Sequence, residues 1–295
     1  MSSDYDIKPV LKWAGGKREL VPEIKRFYQN LKPKKYVEPF FGGGAIYFDI
    51  LKTFGKKYKE NAIINDINED LIDTYKNIKS SPDEVIYHCK RLKKDYEKYD
   101  YYFIRGKFNG INQNGNKVKK YQGIERSAAL ILINRTCFNG LYRVNKSGLF
   151  NVPKGDYKNP TIVDEENLYK LSSVLPKKQN IRCKEFDEIK NINRGDLVYF
   201  DPPYHPLNET SSFTSYSGAF GRDEQIRLRD YFDTLDKKGV YVILSNSSSK
   251  FIKKIYKEFV IKKVYCGRNI NSKAKKRGKI PEFIILGNSI INEKN

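Results

Sequence analysis

The stretch that most constrains this chain is Asp201-Pro202-Pro203-Tyr204, set directly behind the apolar run Leu197-Val198-Tyr199-Phe200. An aliphatic and aromatic run of that kind reads as a buried strand. Two successive prolines cannot donate backbone hydrogens, so the ladder must stop there. The strand therefore ends in a carboxylate, a rigid bend and an aromatic ring at its carboxyl edge, where open α/β sheets bind ligands. The ring can stack on a planar base, while Asp201 and a proline carbonyl, as pure acceptors, suit an exocyclic amine. A turn whose Asp caps a helix and whose Tyr joins the core is the alternative reading.

At 295 residues the chain can bury a sizeable core in one or two domains. Its net charge of +21 suggests a polyanionic partner, since neutralising phosphates releases counterions, although a lysine-rich surface could also serve solubility. A membrane surface is the rival, but no apolar run is long enough to span a bilayer and the N-terminus has no signal-peptide pattern. Cys89, Cys137, Cys183 and Cys266 are far apart, form no CxxC pair, and have no ligand spacing with His88 or His205. That usage fits a reducing cytoplasm and argues against a structural zinc, so no metal is expected.

Near the N-terminus, Lys12 and the single tryptophan, Trp13, precede a Gly-Gly turn, Lys17 and a helical pattern through Phe27. Glycines there permit close backbone approach to a ligand, with Lys17 as a neighbouring cation. Next, Tyr36-Val37-Glu38-Pro39-Phe40-Phe41-Gly42-Gly43-Gly44 runs from a strand into a Gly-rich turn and a helix ending near Leu51, the opening of a nucleotide-type βαβ unit. The dinucleotide fingerprint G-x-G-x-x-G is absent, and Glu38 would repel a pyrophosphate. A sulfonium or amino group suits that position better. A second short strand, 61–65, ends in Asp66, about 20 positions beyond the glycines, the usual place for a carboxylate that holds ribose hydroxyls.

Between about 80 and 190 the character changes. Residues 83–108 read as helical with a basic face, 112–122 as a polar loop, and 126–133 as an apolar helix. Asn139-Gly140 carries a hairpin-turn signal, and the nearby Arg143 and Asn145 are side chains suited to guanine and adenine edges. Residues 148–157 continue as an extended segment. Strand patterns return at 180–186 and 197–200. The polar stretch 207–221 reads as a flap, followed by a helix (222–236), a strand (240–245), a helix (249–257), a strand (259–265) and a last strand (283–286). Residues 268–279 form the densest basic run, suited to backbone phosphate.

In this order, the Trp13 to Lys17 segment, Glu38 to Gly44, Asn65 to Asn68, a basic insert, and Asp201 to Tyr204 resemble the Dam-like (DpnM-like, D12-class) adenine-N6 DNA methyltransferases. The resemblance covers nearly the whole chain, including Phe138-Asn139-Gly140-Leu141-Tyr142-Arg143. It implies an α/β fold: a Rossmann-like S-adenosylmethionine-dependent methyltransferase sheet with an antiparallel last strand. Into that sheet is inserted a mainly helical recognition domain carrying a β-hairpin. The catalytic domain is expected at 1–79 and 180–295, and the recognition domain at 80–179. Carried over by position, Trp13, Lys17, Glu38, Phe40, Gly42, Asp66, Phe186 and Asp201 should hold S-adenosylmethionine. Asp201, Pro202 and Tyr204 should carry the chemistry, and Lys12, Asn139, Leu141, Arg143, Pro153 and Tyr157 should meet double-stranded DNA. Members of this kind usually methylate the adenine of GATC, which the resemblance therefore implies as the expected target. Cys137 and the glycines around 218–221 depart from the family pattern.

The expected reaction is direct methyl transfer to an extrahelical adenine, by positioning and electrostatics without a covalent enzyme intermediate. An RNA or other amine methyltransferase is the rival within the class, and a non-catalytic DNA-binding protein on the same fold is the rival outside it. A nicotinamide oxidoreductase is disfavoured by the missing glycine fingerprint. The expected setting is cytoplasmic, in a restriction-modification or Dam-type system; oligomeric state stays open, monomer or weak dimer.

Overall fold

The computed structural model describes residues 7–13, 17, 19–207, 220–266 and 280–292. The basic run 268–279 and most of the polar stretch 207–221 lie outside the described residues. The helices are α1 (Val21–Tyr28), α2 (Ala45–Phe54), α3 (Glu69–Ser80), α4 (Pro82–Tyr99), α5 (Tyr101–Asn109), α6 (Gly123–Thr136), α7 (Glu165–Val174), α8 (Arg222–Lys237), α9 (Lys250–Ile255) and α10 (Asn288–Asn292). The strands are β1 (Tyr36–Glu38), β2 (Ala62–Asn65), β3 (Ile181–Arg182), β4 (Leu197–Phe200), β5 (Tyr241–Ser247), β6 (Val260–Cys266) and β7 (Ile280–Leu286). They fall into two compact units. One comprises Met1–Gly16, Gly42–Gly44 and Asn68–Cys183; the other comprises Lys17–Phe41, Ala45–Ile67 and Lys184–Asn295.

The second unit is built on a mixed sheet in the order β2-β1-β4-β5-β7-β6. The first four of these strands run parallel, and β7 lies antiparallel between β5 and β6. This is a Rossmann-like arrangement, with the antiparallel last strand that the resemblance implies. Strands β1, β2 and β4 are buried throughout, which explains why Ala62 to Ile64 and Leu197 to Phe200 are apolar at successive positions rather than at alternate ones. Val37, Ile63, Val198, Phe200, Val242, Leu244 and Ile285 join Leu228 and Phe232 of α8 in one core.

The first unit is mainly helical, packed around α6, whose residues are buried on nearly every side. An apolar run with no polar face is what such a central helix requires. The helical pattern expected over 83–108 is two helices, broken at Asp100 (φ 92°). Its carboxylate accepts from the backbone N–H groups of Tyr102 and Phe103 and caps α5. The strand expected over 180–186 shrinks to β3. Beyond it the Lys184 backbone exchanges both of its hydrogen bonds with the Asn65 side-chain amide instead of a neighbouring strand. Helix α7 has no counterpart in the sequence reading. Its N-cap is Asp164, which accepts from the Asn167 N–H.

Candidate active site

Three adjacent parallel strands of the second unit each end in a carboxylate: Glu38 closes β1, Asp66 follows β2, and Asp201 follows β4. Glu38 is only 2% exposed, and burial above all pushes its carboxyl well above the ordinary range. The negative charges of Asp201 and Asp66 push it the same way, while the Tyr36 hydroxyl at 2.7 Å and the Tyr47 backbone N–H stabilise its ionised form. The helix α3 that follows Asp66 is capped by Asn68, which accepts from the Leu71 N–H, so Asp66 is not spent as that cap. Ile67, just beyond it, is 61% exposed, an apolar side chain at the strand edge that the sequence reading passed over.

Asp201 forms an ion pair with Lys17 at 2.9 Å, and its side chain retains 19% of its exposure. Burial raises its pKa to about 6; the Lys17 ammonium opposes that shift and the Glu282 carboxylate adds to it. The Ser245 hydroxyl approaches Asp201 at 3.5 Å and is itself tied to the Tyr199 hydroxyl at 2.5 Å. Lys17 also stands 4.3 Å from the centre of the Tyr204 ring, and the Tyr204 hydroxyl donates to Glu282 at 2.8 Å. A cation therefore covers some of the ring, while the phenol is anchored at its rim.

The loop after β4 is held by groups absent from the sequence reading. The fully buried Gln225 of α8 donates to the Pro203 carbonyl at 2.8 Å and accepts from the Asn246 amide at 3.0 Å. Asn246 in turn accepts from the His205 backbone N–H at 3.1 Å. At the end of β2, Asn65 braces the neighbouring loop in the same way. Its amide donates to the Pro39 carbonyl, and its backbone carbonyl accepts from Phe41. The visible signal was the polar end of an otherwise apolar strand, Ser245-Asn246-Ser247. Phe40 and Phe186 stack at 5.5 Å within an aromatic cluster that includes Phe220 and Tyr231. The Arg227 guanidinium lies 4.5 Å over Phe186, which is buried.

In the first unit, Trp13 packs on the glycine turn. A Cβ on Gly42, whose φ is +49°, would lie 2.8 Å from Trp13 Cδ1, so both backbone and space demand glycine there. Tyr142 also stacks on the tryptophan, at 5.4 Å. The Tyr142 hydroxyl donates to Asp70 at 3.0 Å, and Asp70 receives a two-pronged contact from Arg126 at 2.6 and 2.9 Å. Tyr142 stands next to Arg143, so the segment expected to meet DNA and the glycine turn share one packed chain of side chains.

The hairpin forms, but its turn is displaced from the position expected. Asn139-Gly140 is a short helical turn with both residues in the left-handed region. The ribbon pairs Thr136 with Gly155 and Phe138 with Pro153, then Arg143 with Asn151 and Asn145 with Leu149. Its first arm thus carries three extra residues around Asn139-Gly140, and its reversing turn is Asn145 to Leu149. Left-handed Asn-Gly serves here as a bulge rather than a hairpin turn. Asn139, Arg143 and Pro153 are exposed, and Leu141 and Tyr157 are half-buried. The Arg143 guanidinium donates to the Asn151 side chain at 2.7 Å. Lys12 is brought to this ribbon: its ammonium sits 4.2 Å over the Tyr157 ring and its stem packs on Gly140. Buried Asn134 fixes both, donating to the Lys12 and Gly140 carbonyls at 2.9 Å. Cys137 is buried, which pushes its thiol up to about 11, so it packs rather than reacts.

A sheet of this strand order, with an acid-tipped carboxyl edge and an Asp-Pro-Pro-Tyr loop on its central strand, defines a Rossmann-like methyltransferase. The chain belongs to the D12 class N6 adenine-specific DNA methyltransferase family, whose model matches residues 13–270. It is 44% identical over 286 residues to Type II methyltransferase M.MjaIII of Methanocaldococcus jannaschii, covering 92% of this chain and 96% of that protein. It is 41% identical to Type II methyltransferase M1.LlaDCHI of Lactococcus lactis, covering 95% of each chain. Against the DNA adenine methylase of Escherichia coli K12 the identity is 33%, over 94% of each. The protein is therefore an adenine-specific DNA methyltransferase. Among the described residues no group of acidic, His and Cys side chains could hold a metal ion, and no helix is long and apolar enough to cross a membrane.

Proposed function

We propose that the methyl donor is S-adenosylmethionine and that the acceptor is N6 of an adenine rotated out of duplex DNA, in the sequence GATC. The observation that carries this reading is Asp201, a partly exposed carboxylate at the end of β4 held 2.9 Å from Lys17. With a pKa near 6 it is ionised at neutral pH and accepts hydrogen bonds from an exocyclic amine. The Asp66 carboxylate, and the Glu38 carboxyl, whose charge burial disfavours and a neighbouring cation would favour, suit a cationic ligand carrying hydroxyl and amino donors, so the second unit's residues fit this donor. When bound, S-adenosylmethionine supplies a methyl group on a positively charged sulfur.

The protein contributes positioning and electrostatics. The adenine N6 lone pair is delocalised into the ring and is a weak nucleophile. Asp201 and the Pro202 carbonyl draw on its N–H groups and turn the lone pair outward. Transfer would form a C–N bond as the sulfonium C–S bond breaks, leaving a neutral thioether, and the surplus N6 proton would pass by way of the Asp201 carboxylate to solvent. Tyr204 is assigned to stack on the extrahelical base, which requires Lys17 to share or yield the ring face. Arg143 is assigned to guanine readout, worth about 1–3 kcal/mol of discrimination, with Lys12, Asn139, Leu141, Pro153 and Tyr157 alongside it. Residues 80–179 serve as the target-recognition region of a cytoplasmic enzyme of restriction-modification or Dam type.

The test supplies methyl-labelled S-adenosylmethionine with two duplexes, one containing GATC and one with that site scrambled. Label on N6-methyladenine in the GATC duplex alone is the expected result. Equal label in both would discard the target sequence, and label in neither would discard the donor and duplex reading. Asp201→Ala should abolish transfer while leaving DNA binding largely intact.

A further inference from the structure

The recognition hairpin has a structural twin. In its turn, Asn145 Oδ1 accepts from the N–H groups of Ser147 (3.0 Å) and Leu149 (2.9 Å). Asn145 N–H donates to the Leu149 carbonyl, and Gly148 N–H, at φ 72°, donates to the Asn145 carbonyl. The segment read from sequence as a polar loop repeats every one of these bonds. Asn112 Oδ1 accepts from Asn114 (3.0 Å) and Asn116 (2.9 Å), Asn112 N–H donates to the Asn116 carbonyl, and Gly115, at φ 81°, donates to the Asn112 carbonyl. Antiparallel bridges close both turns, Val144 with Phe150 and Ile111 with Lys117. The shared pattern is an apolar residue, Asn, two free positions and Gly, in which the Asn side chain replaces a rung of ladder.

The two hairpins also share a root. Asn109, the last residue of α5, donates to the Phe150 carbonyl at 3.0 Å and accepts from the Phe150 N–H at 2.9 Å. The second hairpin departs from the residue after it, with Val118 N–H bonded to the Gly110 carbonyl. Its returning arm carries Lys117, Lys119 and Lys120, all exposed and none in an ion pair among the described residues. No acidic residue occurs between Gly110 and Gln122. Unlike the ribbon with Arg143, this hairpin presents no side chain suited to bidentate base readout at the returning arm, only point charges suited to phosphate.

We propose that the hairpin 111–120 is a second DNA contact, gripping backbone phosphates of the duplex beside the target site through Lys117, Lys119 and Lys120. Affinity and register come from this hairpin, sequence discrimination from its twin. The rigid Asx turn and the Asn109 root fix the spacing between the two grips, so the lysines act at a set distance from the recognised base pairs.

This inference rests on the reading that the enzyme binds duplex DNA, which the unaltered enzyme tests separately. The experiment measures binding of the full chain to the GATC and scrambled duplexes between about 50 and 200 mM salt. The unaltered enzyme is compared with the triple variant Lys117→Gln, Lys119→Gln, Lys120→Gln and with the corresponding triple Arg variant. Each phosphate contact contributes about 0.9 to the slope of log affinity against log salt. The Gln variant should therefore flatten the slope by up to about 2.7 units. It should lose affinity equally for both duplexes, keep its melting temperature and cofactor affinity, and be matched to the unaltered enzyme by the Arg variant. An unchanged slope, or a loss confined to the GATC duplex, would overturn the assignment. Absence of duplex binding by the unaltered enzyme would overturn the functional reading and this inference with it.

Discussion

Replacing Lys17 by Met removes the cation 2.9 Å from Asp201 and leaves the carboxylate where burial and Glu282 both disfavour its charge. The carboxyl titrates at about 6 with Lys17 in place. A carboxylate that loses an adjacent cation rises by about 1–3 units, which carries Asp201 to about 7–9. At pH 7.5 the unaltered enzyme would hold about 97% of Asp201 ionised, and the variant between about 76% and about 3%, taking those limits. If the ionised form positions the amine, the transfer rate at pH 7.5 drops by a factor between about 1.3 and about 30. The sign is fixed: a higher pKa delays ionisation, so the loss is greatest at low pH and recovers as the pH is raised toward 9.5. The assay is single-turnover methyl transfer on pre-bound GATC duplex at saturating donor, from pH 5 to 9.5, with Lys17→Arg as the charge-keeping control. An acid limb that stays at about pH 6, or a loss equal at every pH, would refute the reasoning and reduce Lys17 to a binding group.

Glu38→Gln tests the buried acid. Because the folded-state pKa of Glu38 is raised, its contribution is most favourable below the usual carboxylate range and is lost as the pH rises. The melting temperature of Glu38→Gln relative to the unaltered enzyme should therefore increase from pH 5 to pH 8, and a flat difference would contradict the raised value. Gln225→Leu leaves the Pro203 carbonyl and the Asn246 amide without their partner, at about 1–3 kcal/mol for each buried group. It should slow transfer more than it weakens DNA binding, as rate and binding measured on one duplex will show. Tyr142→Phe keeps the stack on Trp13 but removes the bond to the Asp70 carboxyl that pairs with Arg126, costing about 1.5–3 kcal/mol. Thermal unfolding reads that loss, and the fluorescence of Trp13, the single tryptophan, reports whether the stack persists.

The parallel strands were legible because burial on both faces leaves an apolar run that nothing but a core strand or core helix explains. Their length and the prolines or glycines behind them decided between the two. The break at Asp100 was harder, since the apolar periodicity of α4 continues into α5. Its one local sign is an Asp placed to cap the next helix, and Asp within a charged helical stretch is common. Asn139-Gly140 misled for a physical reason. The dipeptide reports two left-handed residues, which both a tight hairpin turn and a bulge require. Only the cross-strand register, three residues longer on the first arm, tells them apart. Hydrogen bonds, unlike dihedral preferences, are not written in a dipeptide.

The acids of the candidate site could be placed from sequence because each stands at the end of a recognisable strand. The groups that hold them could not, since Gln225, Asn246 and Asn65 act across long separations in the chain. Their burial gives them a reason to be there. A fully buried amide is tolerated only when its donors and acceptors are matched, and these amides are matched to the backbone of the loops after the strands. A proline-bent loop such as Asp201 to His205 has few backbone N–H groups with which to brace itself. Side-chain amides from α8 and β5 supply the missing bonds, so the rigidity of the Asp-Pro-Pro-Tyr loop is borrowed from the core behind it. The same logic recurs in the first unit, where buried Asn134 ties Lys12 to Gly140 and half-buried Asn109 holds the Phe150 backbone of the ribbon. In both units most of the residues expected to touch ligand stand on loops or at strand ends, and side-chain amides set where those loops stand.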